Sequence, residues 1–477
     1  MRRFVRKMTV PFLVFSAIGF FSLVVVGCFN PVNPDDTDTD ATPGGVGGGG
    51  GGGTGEESDP YLIETASQLD RVREALDKHY RIIADIDLDG FGGEDGWVPI
   101  GSLDEPFTGS LDGGDHELRN LTIIDDGNLN RDVGLFGYTK EATISNVILT
   151  DVDVEGWMPV GGLVGTSEET EIDNCSVTGT VRGSQDVGGL VGRMLGGTVS
   201  NSFSEGTVTG LSDSGGANNA GGLIGNNEGG SISYSWSSAT LDLIGRTGNR
   251  VGGLVGRSSG VDVLIERSYA TGNVQGNMSA PEGVQYYGGL VGSLWEGTIR
   301  ESYATGNVTA LQYVGGFAGR TDGGANNTIE IENCYSTGSA NAPRGYVGGF
   351  VGSHCRGVIR HSYSLGNVPS AAGSQFGGPQ SGGFRGTSSS SGTFSRCYFD
   401  NDITERAYMG QTDLARTTLQ MQRGTPGVYL NADGTVDDRD TPWTNNLMYG
   451  VGDTLWSTDI WDFGSDTDYP VLRWQSE

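Results

Sequence analysis

Basic residues, histidine and cysteine are all scarce in this chain of 477 residues. Lysine and arginine together number 29 against 59 acidic residues, so the formal net charge is −30. That balance disfavours nucleic-acid binding, which depends on neutralising phosphates with cations. Four histidines and five cysteines leave little material for a histidine-rich metal centre or a disulfide framework. We therefore expect a chain without disulfides, without a nucleic-acid partner and, calcium apart, without a cofactor.

Long helical periods are also missing, and glycine is abundant instead. The 83 glycines exclude a long coiled coil, because each glycine in a helix interior costs about 1 kcal/mol relative to alanine. They do not occupy every third position, which excludes a collagen triple helix. They fall instead into short strings that recur along the chain, which is typical of a repeat architecture.

Two short segments recur together at intervals of 27 to 35 residues. The first reads Gly-Gly-Leu-Val-Gly or a variant; the second reads apolar, two polar, Ser or Cys, then usually an aromatic residue. The apolar positions of the second segment are Ile144, Ile172, Val199, Ile232, Ile265, Ile299, Ile331, Ile359 and Phe394. Such strand-like units bury their apolar residues only by stacking. The pattern predicts an all-β, right-handed parallel β-helix solenoid with these positions in one buried column. A β-propeller is the alternative, although its four-stranded blades need longer units.

The repeated strings resemble those of the GLUG-motif family. They include VGGLVG at 160–165 and 251–256, and SYATGNV at 302–308. The lead-in over 84–123 and the ending YPVLRW at 469–474 fit the same family. The resemblance covers residues 60–475. It implies a secreted or surface protein of bacteria with a β-helical stalk, and it implies no reaction.

The first residues resemble a targeting signal rather than part of the folded domain. A basic start at 2–7 is followed by an uncharged apolar stretch at 9–26 and then by Cys28. This resembles the lipobox of bacterial lipoproteins, which implies cleavage before Cys28 and lipidation of that cysteine. An uncleaved membrane anchor is the alternative. We expect an exported protein held by lipid at the outer membrane or cell surface.

The predicted organisation has five parts, and both ends of the solenoid carry caps. A capping box at 65–68 predicts a helix over 66–80 that covers the first coil. The tryptophan-rich end of the chain predicts a compact closing cap. The parts are a signal peptide at 1–27, Cys28 with an acidic, glycine-rich tether at 28–59, an N-terminal cap and lead-in coils at 60–133, the repeat β-helix at 134–400 and a C-terminal cap at 401–477.

One slot of the repeat is aromatic in seven successive units. The slot holds Phe203, Trp236, Tyr269, Tyr303, Tyr335, Tyr363 and Tyr398. Equivalent slots of a β-helix stack about 4.8 Å apart, so these rings should form a ladder. Small residues and cysteine, which are commonly buried, alternate with the rings, so the rings are predicted to face outward. A bulge at the corner would turn them inward instead. An outward ladder predicts a surface for a glycan or an extracellular protein.

The candidates for metal or covalent chemistry are few. His116 and Glu117 lack the second histidine of a zinc peptidase motif. His354, Cys355 and His361 are interpreted as loop variation. A calcium loop is the better candidate, because oxygen ligands recur there with suitable spacing. Its ligands would be Asn431, Asp433, Asp437 and Asp440.

The function that we predict from the sequence is non-enzymatic. It is adhesion or ligand binding along the β-helix of a lipid-anchored bacterial surface protein. The alternative is a polysaccharide-acting β-helix enzyme, either a lyase or a hydrolase. A glycoside hydrolase would place two carboxylates about 5 to 10 Å apart on neighbouring coils. No Asp–Asp pair occupies the same slot of adjacent units.

Overall fold

The structure is a computed structural model that describes most of the chain after residue 51. The described residues are 52–125, 132–211, 216–243, 247–278, 285–323, 329–369, 380–400, 402–403, 415–416, 421, 429–430, 436–437, 459–462 and 469–475. Cys28 and the predicted signal peptide lie outside these ranges, as do residues 29–51 of the predicted tether, whereas its residues 52–59 are described. Within these ranges, no helix is long and apolar enough to span a membrane.

The chain folds as an all-β parallel β-solenoid of about nine turns. The strands of the coils pair in parallel with the equivalent strands of the next coil, which excludes the β-propeller. We name the three stacks of strands sheets 1, 2 and 3. Sheet 1 contains the strands Tyr61–Ile63, His79–Ile82, Ser110–Asp112, Phe136–Lys140, Thr143–Ser145, Val164–Glu168, Glu171–Asp173, Val191–Leu195, Thr198–Ser200, Ile224–Glu228, Ser231–Ser233, Val255–Ser259, Leu264–Glu266, Val291–Leu294, Gly297–Arg300, Ala318–Thr321, Ile329–Glu332, Val351–Arg360 and Arg385–Ser395.

Sheets 2 and 3 complete each coil. Sheet 2 contains Val160–Gly161, Val187–Gly188, Gly216–Gly221, Thr247–Gly252, Tyr286–Gly288, Tyr313–Gly315, Tyr346–Gly348 and Gln380–Gly382. Sheet 3 contains Ile86–Asp87, Glu117–Arg119, Thr122–Ile124, Ile148–Glu155, Ser176–Gly183, Phe203–Gly210, Trp236–Ser237, Thr240–Asp242, Tyr269–Ala270, Val274–Gln275, Tyr303–Ala304, Val308–Thr309, Tyr335–Ser336, Ala340–Asn341, Tyr363–Ser364, Tyr398–Asp400 and Ala415–Arg416.

The apolar column predicted from the repeat is present in sheet 1. Each member pairs in register with the next, for example Ile232 with Ile265 and Ile265 with Ile299. From Ile144 to Ile359 these side chains are 0 to 1 % exposed. Because hydrophobic burial contributes roughly 25 cal/mol per Å², this column stabilises coil stacking along most of the solenoid.

A buried serine ladder runs beside this column. The hydroxyl of Ser268 accepts the backbone N–H of Ser235 at 3.2 Å and donates to the carbonyl of Glu266 at 2.8 Å. Ser302 repeats both bonds one coil later. Cys175, Cys334 and Cys397 occupy the same slot, and all three are buried. Small polar residues occupy this position because their side chains accept a hydrogen bond from a backbone N–H of the neighbouring coil.

The last glycine of each Gly-Gly-Leu-Val-Gly string lets two sheets meet closely. A Cβ on Gly256 would lie 2.6 Å from the backbone nitrogen of Ala220, a distance that real Cβ atoms do not adopt. The glycine thus permits a tight corner between sheets 1 and 2.

The turn from sheet 1 into sheet 3 holds one residue per coil in the left-handed conformation. Asn146, Asn174 and Asn333 have φ of 55°, 52° and 53° there. Asparagine tolerates this conformation better than most residues. The Asn174 amide also donates to the Asn146 side chain at 2.8 Å. Tyr234, Arg267, Glu301 and His361 occupy the same slot in other coils.

The N-terminal helix begins as predicted but is shorter. Thr65 and Gln68 form the capping box, and the helix Ala66–Asp70 continues as a 3₁₀ turn, Arg71–Glu74. The prediction of a helix to residue 80 was wrong. Its last residues form the strand His79–Ile82 instead, because Tyr80 and Ile82 alternate inward and pair with the first coil.

The C-terminal cap is described only in part. Trp461–Asp462 pairs antiparallel with Val471–Leu472, and a 3₁₀ turn follows at Arg473–Gln475. Tyr429–Leu430 pairs antiparallel with Val436–Asp437. Of the predicted calcium ligands, Asp437 ends this strand, whereas Asn431, Asp433 and Asp440 lie outside the described residues.

Candidate binding surface

Six of the seven predicted rings form one stacked column along sheet 3. Successive ring centroids lie 4.4 to 5.7 Å apart, and successive ring planes differ by only 2 to 6°. The order is Phe203, Trp236, Tyr269, Tyr303, Tyr335 and Tyr363. Tyr398 continues the register one coil beyond Tyr363. Parallel pairing at each coil holds the rings in this stack, because each strand repeats the same slot.

The rings lie on the outer side of the solenoid. The residues that follow them along the strand are small and point into the core, where Ser237, Ala270 and Ala304 are fully buried. Side chains alternate along a strand, so the rings point the opposite way. Phe203, Trp236, Tyr269 and Tyr303 are accordingly half-buried rather than buried.

The C-terminal cap covers the second half of this column. The Trp461 ring lies 5.8 Å from that of Tyr363, and Trp474 lies 5.9 Å from Tyr303. Gln475 Nε2 donates to the Tyr335 hydroxyl at 2.9 Å, and the Tyr363 hydroxyl donates to the Pro470 carbonyl. The prediction that all seven rings would face solvent was therefore wrong for three of them. Tyr335, Tyr363 and Tyr398 are only 5, 1 and 7 % exposed.

The open half of the column consists of Phe203, Trp236, Tyr269 and Tyr303, whose rings are uncharged. Trp474 of the cap lies beside the last two, 6.2 and 5.9 Å from their ring centroids. Burial raises the pKa of Tyr303 to about 12 and also raises the pKa of Tyr269, so both stay protonated near neutral pH. The next outward slot carries Glu205, Ser238 and Thr271, and Ser238 donates to Glu205 at 3.3 Å. Flat rings bordered by hydroxyl groups can hold a sugar face or an apolar strip of a partner.

A second polar cluster lies where sheets 1 and 2 meet. Asn226 donates its amide to Asp186 at 3.4 Å and to Glu228 at 2.8 Å, so one nitrogen joins two carboxylates. Burial raises the pKa of Asp186, which is 3 % exposed. Glu228 also pairs with Arg193 at 3.0 Å. The repeat pattern did not predict that Asp186 and Glu228 converge, because the two residues come from different segments of the repeat unit.

The remaining candidates do not assemble into a reactive centre. His354 is fully buried, its Nδ1 lies 2.6 Å from Thr321 Oγ1, and burial lowers its pKa to about 4. His361 contacts Glu332 at 3.3 Å, and Cys355 contacts Ser353. His116 contacts Asp85 at 3.3 Å. The four described cysteines form no disulfide with one another, and the described ranges bring no three metal-binding side chains together.

The sequence profile of the GLUG motif matches residues 160–182, 183–209, 283–309 and 310–341. The chain carries GLUG motif repeats. Each matched segment runs through strands of sheets 1, 2 and 3, so the motif corresponds to about one coil. The matched segments include three of the rings in the column, Phe203, Tyr303 and Tyr335.

Two curated relatives are similar to part of the chain. Halomucin of Haloquadratum walsbyi is 37% identical over 142 residues, which are 27% of this chain and 2% of halomucin. A candidate Gly-rich membrane protein of Evansella cellulosilytica is 37% identical over 131 residues, which are 26% of this chain and 15% of that protein. The matched region thus spans a small fraction of either relative.

Two solved structures resemble the fold at low similarity. One is described as a candidate immunoglobulin A1 protease of Bacteroides ovatus, with 20% identity and a TM-score of 0.39. It covers 88% of this chain and 94% of its own. The other is described as an IgA1 protease, with 19% identity and a TM-score of 0.43, over 60% of this chain and 23% of its own.

Proposed function

We propose that this protein is a non-enzymatic, cell-surface repeat protein that binds a ligand along its solenoid. The observation that carries the proposal is the open half of the aromatic column, where Phe203, Trp236, Tyr269 and Tyr303 stack while half-exposed. The relatives' names support a place at the cell envelope, since one is a halomucin and the other a Gly-rich membrane protein.

The chemistry of the open column favours an uncharged ligand. Its rings are neutral, and Glu205 with a net charge of −30 would repel an anion there. A glycan presents flat apolar faces that suit aromatic rings, and its hydroxyl groups suit the bordering serine and threonine side chains. Each coil adds one modest contact, so affinity should come from several rings acting together. The ligand class that fits is a neutral glycan of an extracellular surface.

Replacing Trp236 and Tyr269 together with serine is expected to lower binding to neutral glycans at least tenfold. The change removes two adjacent rings from the open half and leaves the inward-facing residues intact. Binding of the full-length protein to an array of neutral glycans and to intact cells measures the effect. Far-UV circular dichroism checks that the variant keeps its fold.

The matched control is Trp295→Ser, which removes a 37 % exposed tryptophan from a turn outside the column. It should leave glycan binding unchanged. Equal losses in the control and the column variant would contradict the proposal, as would unchanged binding of the column variant. Retained binding to cells with no binding to any glycan would point to an extracellular protein as the ligand.

A lipid on Cys28 is the proposed membrane attachment. The basic start and the apolar stretch before Cys28 support it. We expect Cys28→Ser to accumulate as an unprocessed precursor and to lose metabolic labelling with a fatty-acid analogue. Labelling and immunoblotting of cell fractions test this. Normal processing and continued labelling of the variant would refute lipid attachment at this residue.

A polysaccharide-acting enzyme is the second candidate, and Asp186 with Glu228 is the observation that favours it. A carboxyl group with a raised pKa beside an ionised carboxylate is the pairing that glycoside hydrolysis uses. Two features weigh against it. Asp186 is almost fully buried, and the amides of Asn219 and Asn226 bond to its carboxylate oxygens. Release of new reducing ends during the glycan-binding assay would favour the enzyme.

A further inference from the structure

A strip of arginine lies in the corner between sheets 1 and 2, away from the aromatic column. We name the residues Arg250, Arg257, Tyr286 and Arg320 the arginine corner. In sheet 2, Arg250 pairs in register with Tyr286 of the next coil. In sheet 1, Arg257 pairs with Ser293, which pairs with Arg320. Two coil spacings therefore separate Arg257 from Arg320, which is about 10 Å.

The glycine that permits the close corner also brings these side chains together. Gly256 precedes Arg257, and the place of its missing Cβ lies against the backbone of sheet 2. Gly319, the equivalent glycine two coils on, precedes Arg320, and a Cβ on it would lie 2.5 Å from the backbone nitrogen of Tyr287. The Arg320 guanidinium lies 4.8 Å from the centre of the Tyr286 ring in sheet 2. It also donates to the Tyr286 hydroxyl. The corner is therefore a continuous surface built from both sheets.

Three carboxylates face the three arginines of the corner, but Asp186 is held by the amides of Asn219 and Asn226. Glu228 lies 3.7 Å from Arg257, and Asp322 pairs with Arg320. Among the described residues, no carboxylate lies within ion-pair distance of Arg250, whose NH1 donates to Asn219 at 3.3 Å. Burial and the neighbouring Arg257 and Arg320 lower the pKa of Arg250, while Tyr286 and Asp186 oppose that shift. Arg250 is thus a cation without an ion pair among the described residues, and it lies beside two further arginines.

Several buried polar atoms at the corner have no hydrogen-bond partner. They are Nε of Arg250 and Arg320, Nε of Arg193 and Oδ1 of Asn226. Asn226 is itself 3 % exposed and stands in the sheet 1 column between Arg193 and Arg257. Unsatisfied buried polar atoms are costly, and these four belong to residues in or next to the corner. The polar groups of the corner are therefore incompletely paired within the protein.

Tyrosine rings extend the corner along the solenoid. Tyr286, Tyr313 and Tyr346 follow one another in sheet 2, with ring centroids 5.2 and 4.9 Å apart. Tyr313 and Tyr346 are half-buried. The corner thus combines cations spread over several coils with a row of aromatic rings. A single small anion would meet only part of this surface.

We propose that the arginine corner binds the carboxylate or sulfate groups of an acidic polysaccharide. The planar donors of arginine match such groups, and the tyrosine row offers ring faces to the sugars between them. A polymer also meets cations on successive coils, as their spacing requires. An acidic peptide shares the charge but makes less use of the tyrosine row. The proposal goes beyond the neutral-glycan function, because it concerns another surface and another ligand class.

The test uses the detergent-solubilised full-length protein and polymers of defined charge. We expect it to bind polygalacturonate or dextran sulfate and not uncharged dextran, even though its net charge is −30. Added salt should weaken this binding, because it screens charge. Arg250→Gln combined with Arg320→Gln should lower the affinity at least tenfold. Replacing Arg320 with lysine instead of glutamine in this double variant should restore only part of the affinity, since lysine keeps the charge without the planar donors.

Arg360→Gln is the matched control, because it removes a sheet 1 arginine that pairs with Glu330 at 2.7 Å outside the corner. Arg250→Gln alone carries the test where the double variant fails to fold. No binding to either acidic polymer, or equal losses in the control, would overturn the proposal. Equal affinity for polyglutamate would assign the corner to acidic peptides, and equal affinity for galacturonic acid monomer would assign it to small anions. Trp236→Ser with Tyr269→Ser should leave acidic-polymer binding intact, which separates this proposal from the neutral-glycan function.

Discussion

Replacing Tyr363 with alanine is expected to lower the free energy of unfolding by about 3 to 5 kcal/mol, the usual loss for a large buried ring. Tyr363 is 1 % exposed and stacks on Tyr335 at 5.1 Å. The Trp461 ring lies tilted against it at 5.8 Å, and the Tyr363 hydroxyl donates to the Pro470 carbonyl. The variant should therefore lose both ring packing and the attachment of the cap. Urea denaturation followed by tryptophan fluorescence measures the change.

Phe203→Ala is the matched control, because Phe203 occupies the same slot at the open end of the column. Its ring is half-buried and contacts no ring of the described part of the cap, so the loss should be clearly smaller. Tyr363→Phe should cost only about 1 kcal/mol, the usual contribution of one hydrogen bond. Equal losses for Tyr363→Ala and Phe203→Ala would contradict the covering of Tyr363 by the cap.

Residues at the same position of the repeat unit therefore lie in two different environments. Tyr269 and Tyr363 have the same place in their repeat units, yet one is half-buried and the other is enclosed. The repeat determines that each ring points outward. The cap residues Trp461 and Pro470 determine which rings remain available.

The solenoid could be predicted from the sequence because its signal is repeated. Ile232, Ile265 and Ile299 each recur with the same neighbours, and the coordinates place them in one register. The outward direction of Tyr269 also follows from its strand, because small Ala270 takes the inward place. Local rules sufficed in both cases, since strand alternation and coil stacking act over a few residues.

The cap contacts could not be predicted, because they join distant and unrepeated segments. Trp474 donates to the carbonyl of Glu301, and Trp461 donates to Asn333 at 3.1 Å. Nothing periodic relates these pairs in the sequence.

The prediction of the N-terminal helix to residue 80 was wrong for a different reason. Tyr80 fits both a helical stripe and a strand, and pairing with the first coil decides in favour of the strand.

The arginine corner was also missed, although its residues belong to the repeat. Arg250 and Arg257 flank a Gly-Gly-Leu-Val-Gly string, and the turn within that string brings the two sides together. When the positions of each sheet are considered separately, Arg250 and Arg257 appear unrelated. Comparing the residues before the string with those after it predicts their proximity, because the two groups of residues lie on the same corner.

Alkaline pH is expected to unfold the solenoid, beginning with its buried thiols. Burial raises the pKa of Cys175 and of Cys397 to about 12 and raises that of Cys334 as well. In an unfolded chain a cysteine titrates at about 8.5. Above that pH the unfolded state releases protons that the folded state keeps, so stability falls as pH rises. Three thiols together give a loss of about 4 kcal/mol for each pH unit in this window.

Buried tyrosines extend the same effect to higher pH. Burial raises the pKa of Tyr287, Tyr335 and Tyr363 above the usual value, so their contribution is lost above about pH 10. Reversible urea denaturation at pH 8, 9, 10 and 11 under reducing conditions measures the profile.

A triple variant, Cys175→Ser, Cys334→Ser and Cys397→Ser, separates the effect of the thiols from that of the tyrosines. Serine occupies this slot in other coils, as Ser268 and Ser302 do, so the variant should fold. It should stay stable from pH 8 to 10 and then lose stability with its tyrosines. Identical profiles for the variant and the parent would mean that the three thiols do not control the first stage, and the serine ladder would then tolerate a charged sulfur.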